Sequence, residues 1–343
     1  MKQLLTLLTL PSMLLAAQND FFTQPKQPPA PPAVPPGIPW FTGPLVTPAA
    51  NVVPRGNYNV EPYTYVFAYT AAYQKDWSTS NLPNIYALTL QCPSFVGLTP
   101  WMDISFVPTV SWQWCENKYN MEMNDFIIML DFAPYTAPAG SWTPNVKVSI
   151  GETFPTGRYR HLGPKELGTD VGGKGSFQQN AEIMLGQSYH IRGESWWDYR
   201  LGATFNYFVP VHVKGFNTYG GGSKCDGIVY PGSTLTSMLG LEVGLNYNWV
   251  LACDFVAVWT ARDRFVGNDG FAEGDKKVPN RFRSTHHAVV GQGSQFMFTL
   301  SPALEYNWNE VWGFIFGSWF TVAGKSTPVF YSGIFALDIN IGL

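Results

Sequence analysis

The sequence predicts an all-β fold, an antiparallel transmembrane β-barrel of about twelve strands. The clearest signal is a long hairpin from Ser233 to Arg262, in which apolar residues alternate with small or polar ones, as in Leu239, Leu241 and Val243 against Gly240, Glu242 and Gly244. Its strands exceed the 5–6 residues usual in globular proteins. Aromatic residues at their ends suit a barrel that is apolar outside and wet inside.

The N-terminus predicts export. Met1 to Ala17 carry an early lysine and an apolar core from Leu4 to Leu15, which is typical of a signal peptide cleaved after Ala17. That core is too short for a membrane-spanning helix, which needs about 20 residues. Val311–Ala323 is the best later stretch, and glycines interrupt it. Any membrane crossing is therefore expected to use strands.

Three segments follow from this pattern: residues 1–17 as signal peptide, 18–56 as a proline-rich periplasmic linker with a lead-in, and 57–343 as the barrel. The stretch from Gln18 to Pro39 favours polyproline II and cannot pair as a strand. Its alternative role is to bind a partner or the cell wall. Trp40 to Gly56 is expected to be ordered but irregular.

The remaining strands show the same period of two, with the apolar set expected to face lipid. The predicted strand from Trp196 to Lys214 is one of the clearest. In the first predicted strand, the apolar set is aromatic and consists of Tyr63, Tyr65, Phe67 and Tyr69. The other predicted strands are Val60–Tyr73, Asn84–Cys92, Trp101–Trp114, Met121–Phe132, Pro144–Gly151, Lys174–Ile191, Phe296–Tyr306, Val311–Gly324 and a C-terminal strand from Phe335.

The connections alternate between short turns and longer polar loops, as in bacterial outer-membrane barrels with short periplasmic turns. This predicts the outer membrane of a Gram-negative-type bacterium, with outer-membrane lipid around the wall. The 13 tryptophans agree, because indole prefers the headgroup level. One belt near the short turns comprises Trp101, Trp142, Trp196, Trp197, Trp249, Trp308 and Trp312, and the opposite belt Trp112, Trp114, Trp259 and Trp319.

Composition and motifs argue against several other functions. The net charge of −3 offers no basic field for nucleic acid. Cys92, Cys115, Cys225 and Cys253 have no C-x-x-C spacing, so neither a metal nor another cofactor is predicted, and a Cys115–Cys225 disulfide stays open. The chain is predicted not to be an enzyme. If it were, the candidates would be His286 and His287 in an outer loop with Asp263, Asp269 or Asp275, or the lumen-facing His190 and His212.

Charged residues on the polar side of the strands are the candidate site. The lumen-lining set is Asp103, Lys147, Glu182, Asp198, Arg200, Glu242, Asp254, Glu305 and Asp338. The set forms either a hydrogen-bonded network that fills a narrow barrel or a selective pathway. A three-residue turn at Tyr247–Trp249 would place Glu242 directly opposite Asp254, with Lys147 or Arg200 as the answering cation.

The segment VSIGETFPTGRYRHLG, Val148 to Gly163, resembles the outer-membrane family named for the meta-pathway of phenol degradation. Pro155 and Gly157 match that family's P-x-G turn after a strand. The lead-in GPLVTPAANVVPRGNYNVEPY, Gly43 to Tyr63, is similar to a segment of uncharacterised outer-membrane proteins of intracellular bacteria. Leu343 departs from the terminal phenylalanine that is usual in such barrels.

The resemblance implies a passive channel for small, often hydrophobic molecules and supplies no catalytic residue. The rival reading is a structural or surface-interaction barrel with a plugged lumen. The permeant and the oligomeric state are not readable from the sequence.

Overall fold

A computed structural model describes residues 41–343, except 139–140, 193–194, 271–289 and 343. The predicted signal peptide and proline-rich linker lie outside the described residues, as do His286 and His287. Among the described residues, no helix is long and apolar enough to span a bilayer.

Nineteen strands occur in this part of the chain. They are β1 (Asn57–Val60), β2 (Tyr63–Tyr73), β3 (Thr79–Gln91), β4 (Ser94–Thr99), β5 (Met102–Val107), β6 (Thr109–Cys115), β7 (Lys118–Met123), β8 (Phe126–Tyr135), β9 (Asn145–Phe154), β10 (Gln178–Arg192), β11 (Ser195–Phe208), β12 (Val211–Lys214), β13 (Asp226–Tyr230), β14 (Thr234–Gly244), β15 (Trp249–Thr260), β16 (Arg264–Asn268), β17 (Gln295–Asn307), β18 (Trp312–Lys325) and β19 (Pro328–Gly342).

Sixteen of these strands form one antiparallel sheet that closes on itself, because β19 pairs with both β1 and β2. The first four wall crossings are each split in two, as β1/β2, β3/β4, β5/β6 and β7/β8. Prolines at positions 62, 93 and 108 occupy three of these breaks, since proline cannot donate to a ladder. The closed wall therefore has twelve crossings, which confirms the predicted fold.

Three strands lie outside this wall. β12, β13 and β16 pair in a small sheet at the end of the barrel that carries the long loops. The predicted seventh strand was wrong in continuing to Lys214: the wall strand ends at Phe208, because Pro210 follows. His212 consequently lies on β12 and not in the lumen. Its Nε2 is 2.8 Å from Oδ1 of Asp226, and both side chains are about half exposed.

The predicted register of the long hairpin was also wrong. Glu242 pairs with Ala252, and Asp254 pairs with Gly240. The turn is two residues longer than expected, because the side-chain oxygen of Asn246 accepts the backbone N–H groups of Asn248 and Trp249, each at 2.9 Å. A shift of two residues preserves the facing of every side chain, so Glu242 and Asp254 both still point inward.

Exposed tryptophans mark both rims of the barrel. Trp101, Trp142 and Trp308 are 53%, 82% and 66% exposed near the short turns, and Trp112, Trp114 and Trp259 are exposed near the loops. Trp319 was wrongly placed in a belt. Its ring points inward, and its Nε1 donates to Oγ1 of Thr299 at 2.8 Å.

This arrangement predicts which connections a surface label reaches. An epitope inserted after Lys165, in a long loop, should be detected on intact cells, because long loops of outer-membrane barrels face outward. The same epitope after Tyr247, in a short turn, should be detected only after the outer membrane is permeabilised. The reverse pattern would contradict the orientation.

Candidate functional site

The interior of the barrel is occupied by the chain's own lead-in. Residues 41–56, the lumen segment, precede β1 and contain no strand. Leu45, Thr47 and Ala50 are 3%, 2% and 5% exposed. The segment is irregular, and no local pattern in its sequence indicates that it lies within the wall.

Lumen carboxylates hold this segment through its own donors. Backbone N–H groups of Val46 and Thr47 donate to the two oxygens of Asp254, at 3.2 and 2.9 Å. The hydroxyl of Thr42 donates to Glu305 at 2.9 Å, and the backbone N–H of Val53 donates to Asp103 at 2.5 Å. Hydrogen bonds to a charged acceptor are among the stronger ones.

Wall glycines provide the room for the segment. A Cβ atom at Gly240 would lie 2.7 Å from Pro44, one at Gly186 would lie 2.9 Å from Cβ of Ala50, and one at Gly317 would lie 2.8 Å from Leu45. Real Cβ atoms almost never approach another atom so closely. Glycines at contact positions on three different strands thus leave space for this one segment and form a glycine seat.

The other predicted lumen residues also face the interior, where they pair with one another. Arg200 Nε lies 3.2 Å from Glu242 and 3.4 Å from Asp198. Lys147 lies 3.8 Å from Glu182. Asp338 accepts a hydrogen bond from Asn59. Their role in a permeation pathway stays a prediction.

The sequence reading missed an aromatic column. Tyr63, Tyr65, Phe67 and Tyr69 of β2 were expected to face lipid, but this expectation was wrong. They pair with buried residues of β19 and stack inward, with successive ring centroids 5.6, 5.6 and 5.7 Å apart. Alternation alone cannot show which face of a strand is the lumen face, and the opposite set, Thr64 to Thr70, is small or polar and so favoured the wrong orientation.

Apolar residues inside the barrel, the apolar layer, also pack against the segment. Leu45 packs in a cluster with Tyr63, Ile315 and Ile334, and Trp319 is partly buried against it. Ala50 packs in a second cluster with Met184, Met238 and Val256. The carboxylates lie among these residues, since Ala252 and Ala303 of the first cluster are two residues from Asp254 and Glu305, respectively. The segment therefore contacts apolar residues with its side chains and the acids with its donors.

The P-x-G turn positions a long loop at the other end of the barrel. The N–H of Gly157 and the N–H of Lys174 donate to the two oxygens of Asp125, at 3.0 and 2.8 Å. A Cβ atom at Gly157 would collide with the carbonyl oxygen of Gly172. The interior-facing Gln113 donates to Val171 at 2.7 Å, so this loop bends over the lumen.

Catalytic and metal sites find little support in the described residues. No group of three or more histidine, cysteine or acidic side chains there could hold a metal ion. No disulfide joins the four cysteines. His190 lies near the short turns against the ring of Trp196, at 4.9 Å between ring centroids.

Comparison with solved structures shows the fold. An outer membrane channel from Pseudomonas putida F1 matches with a TM-score of 0.61 at 12% identity, over 87% of this chain and all (100%) of that one. The translocator domain of the autotransporter NalP from Neisseria meningitidis gives 0.41 at 10% identity, over 82% and 88% of the two chains. The β domain of the Bordetella autotransporter BrkA gives 0.45 at 7% identity, over 84% and 100%.

No family profile and no curated protein sequence matches the chain. The match with the Pseudomonas channel establishes that this chain has the fold of an outer-membrane β-barrel. Because the identity is low, it establishes the fold alone. The β12–β13–β16 sheet and the lumen segment are seen in the structure of this chain itself.

The glycine seat leads to a test of the segment. Gly240→Val should displace the segment rather than the wall, because the added atoms meet Pro44 and Thr47. Loss of the hydrogen bonds to Asp254 should then speed amide exchange in residues 41–56 by about tenfold or more. Hydrogen–deuterium exchange in detergent measures this effect. Gly333→Val is the control, since nothing lies near that position; equal exchange in both variants would contradict the seat.

Proposed function

We propose that the protein is an outer-membrane channel for small molecules, hydrophobic ones included, and that the lumen segment closes it in the conformation described. The observation that carries this proposal is the nature of the segment's attachment. It is held inside the barrel by a few side-chain contacts and takes no part in any strand ladder. It can therefore leave the lumen without breaking the wall.

The wall supports a pathway once the segment moves. The twelve crossings enclose enough space for the irregular lumen segment, and its departure would leave that space to a small molecule. The apolar layer and the aromatic column favour a permeant with an apolar body. The similar Pseudomonas protein is described as an outer membrane channel, which supports the same class of function here.

The outer membrane of a Gram-negative-type bacterium is the proposed location, with its lipid as the surrounding partner. Outward-facing tryptophans at both rims support this proposal, because they suit two membrane interfaces. The proposal includes no catalytic role. Among the described residues, His212 pairs with Asp226 on the small β12–β13–β16 sheet, where both side chains are about half exposed.

The rival function is a closed barrel with a purely structural or surface-interaction role. The occupied lumen is the observation that favours it. In that case the lumen segment would be a permanent part of the core, and its removal would expose buried carboxylates and destabilise the fold.

Deletion of residues 42–53 separates the two functions. The proposed channel should keep its heat-resistant folded form and show discrete conductance steps in planar bilayers. The full chain should be closed most of the time. Asp254→Asn in the full chain should give brief openings, because the neutral amide replaces a charged acceptor of two N–H groups and holds the segment less strongly. Loss of the heat-resistant folded form on deletion, or a folded deletion variant without conductance, would support the rival.

A further inference from the structure

The interior carries many more carboxyl groups than cationic groups near the short turns. The nine carboxyl groups that face it among the described residues are Glu61, Asp103, Asp131, Glu182, Asp198, Glu242, Asp254, Glu305 and Asp338; the two cationic groups of this layer are Lys147 and Arg200. Both cations already pair with carboxylates of the set. The acids therefore outnumber the cations that can balance them.

Several fully buried polar groups in this layer are incompletely satisfied. The carboxyl groups of Glu242 and Glu305 contact each other, and neither Oε1 has another donor among the described residues, nor has the hydroxyl oxygen of Ser301. Ser301 is fully buried and lies directly across the ladder from Asp254. Buried polar groups without partners are costly, so these oxygens form a place where a donor or a cation is stabilised.

Departure of the lumen segment enlarges this imbalance. The N–H groups of Val46, Thr47 and Val53 and the hydroxyl of Thr42 leave together, and Asp254, Glu305 and Asp103 lose the donors they now have. An open lumen is thus more strongly electronegative than the closed one, and it favours cations over anions.

The aromatic column begins beside this acidic layer. The hydroxyl of Tyr63 lies 3.4 Å from Oε2 of Glu61, and the rings of Tyr65, Phe67 and Tyr69 continue from it. These rings are only partly buried although they face the interior, so open space adjoins them. Aromatic faces carry negative potential and attract ammonium groups, most strongly where water is scarce.

We propose that the open lumen selects organic cations, meaning a protonated amine or a quaternary ammonium on an aromatic or alkyl body. The column receives the apolar body and attracts the cationic head, and the carboxylates stabilise that head as it passes. A neutral hydrocarbon gains only the contact of its body with the aromatic column. An aromatic anion is repelled by the carboxylates. This inference rests on the proposed channel function and specifies its substrate class.

Reversal potentials across planar bilayers test the inference. The variants are the chain without residues 42–53 and the full-length Gly240→Val chain, so that misfolding of one still leaves the other. In benzyltrimethylammonium chloride the organic cation should be about tenfold more permeable than chloride, and in sodium benzenesulfonate the aromatic anion should be less permeable than sodium. Phe67→Leu keeps an apolar side chain but removes a ring, and should lower benzyltrimethylammonium permeability about threefold or more. Phe335→Leu is the control, because Phe335 is 46% exposed on the outer face.

The outcomes are distinct. A cation preference that falls with Phe67→Leu and not with Phe335→Leu supports the inference. Conductance without cation preference, or with equal effects of the two leucine variants, overturns it and leaves the channel function intact. Folded variants that never conduct overturn the channel function itself.

Discussion

The structure depends on how a narrow barrel stabilises carboxylates that it has removed from water. Asp254 and Glu305 are completely buried, and burial of an unpaired charge costs several kcal/mol. Arg200 pairs directly with two neighbouring carboxylates, Glu242 and Asp198. Asp254 and Glu305 depend instead on backbone and hydroxyl donors that reach them from the lumen segment. The same acids that destabilise an empty lumen thus stabilise an occupied one.

The segment and the wall are complementary in shape as well as in charge. Gly186, Gly240 and Gly317 lack the side chains that would exclude Ala50, Pro44 and Leu45. Glycine lowers the stability of a strand. Packing of the segment against the three glycine positions offsets this loss of stability. The segment is held by packing and by hydrogen bonds to carboxylates but by no ladder hydrogen bond, so it is stable in the closed barrel and can leave without disrupting the wall.

Much of the fold was predictable from the sequence because a barrel wall imposes a period of two on every strand. That period predicted the twelve crossings. It also placed Glu242 and Asp254 on the inward face of their strands, although the predicted pairing between those strands was wrong. The column on β2 could not be predicted in the same way. Alternation separates two faces but does not say which is the lumen, and aromatic residues suit lipid and a packed interior equally. The seat of the lumen segment depends on contacts between residues far apart in the sequence, such as Val46 with Asp254, which no local pattern contains.

The central claim is that reversible movement of the lumen segment opens the barrel, and a covalent lock tests it most directly. Ala50→Cys with Gly186→Cys places two thiols at positions whose Cβ atoms nearly touch, so a small shift of the segment allows a disulfide. Single-channel recording should show no openings under oxidising conditions and the openings of the parent chain after reduction on the same bilayer, with each single-cysteine variant insensitive to both treatments. Undiminished conductance while the disulfide is intact would contradict the claim, because the permeant would then have a route that the segment does not close.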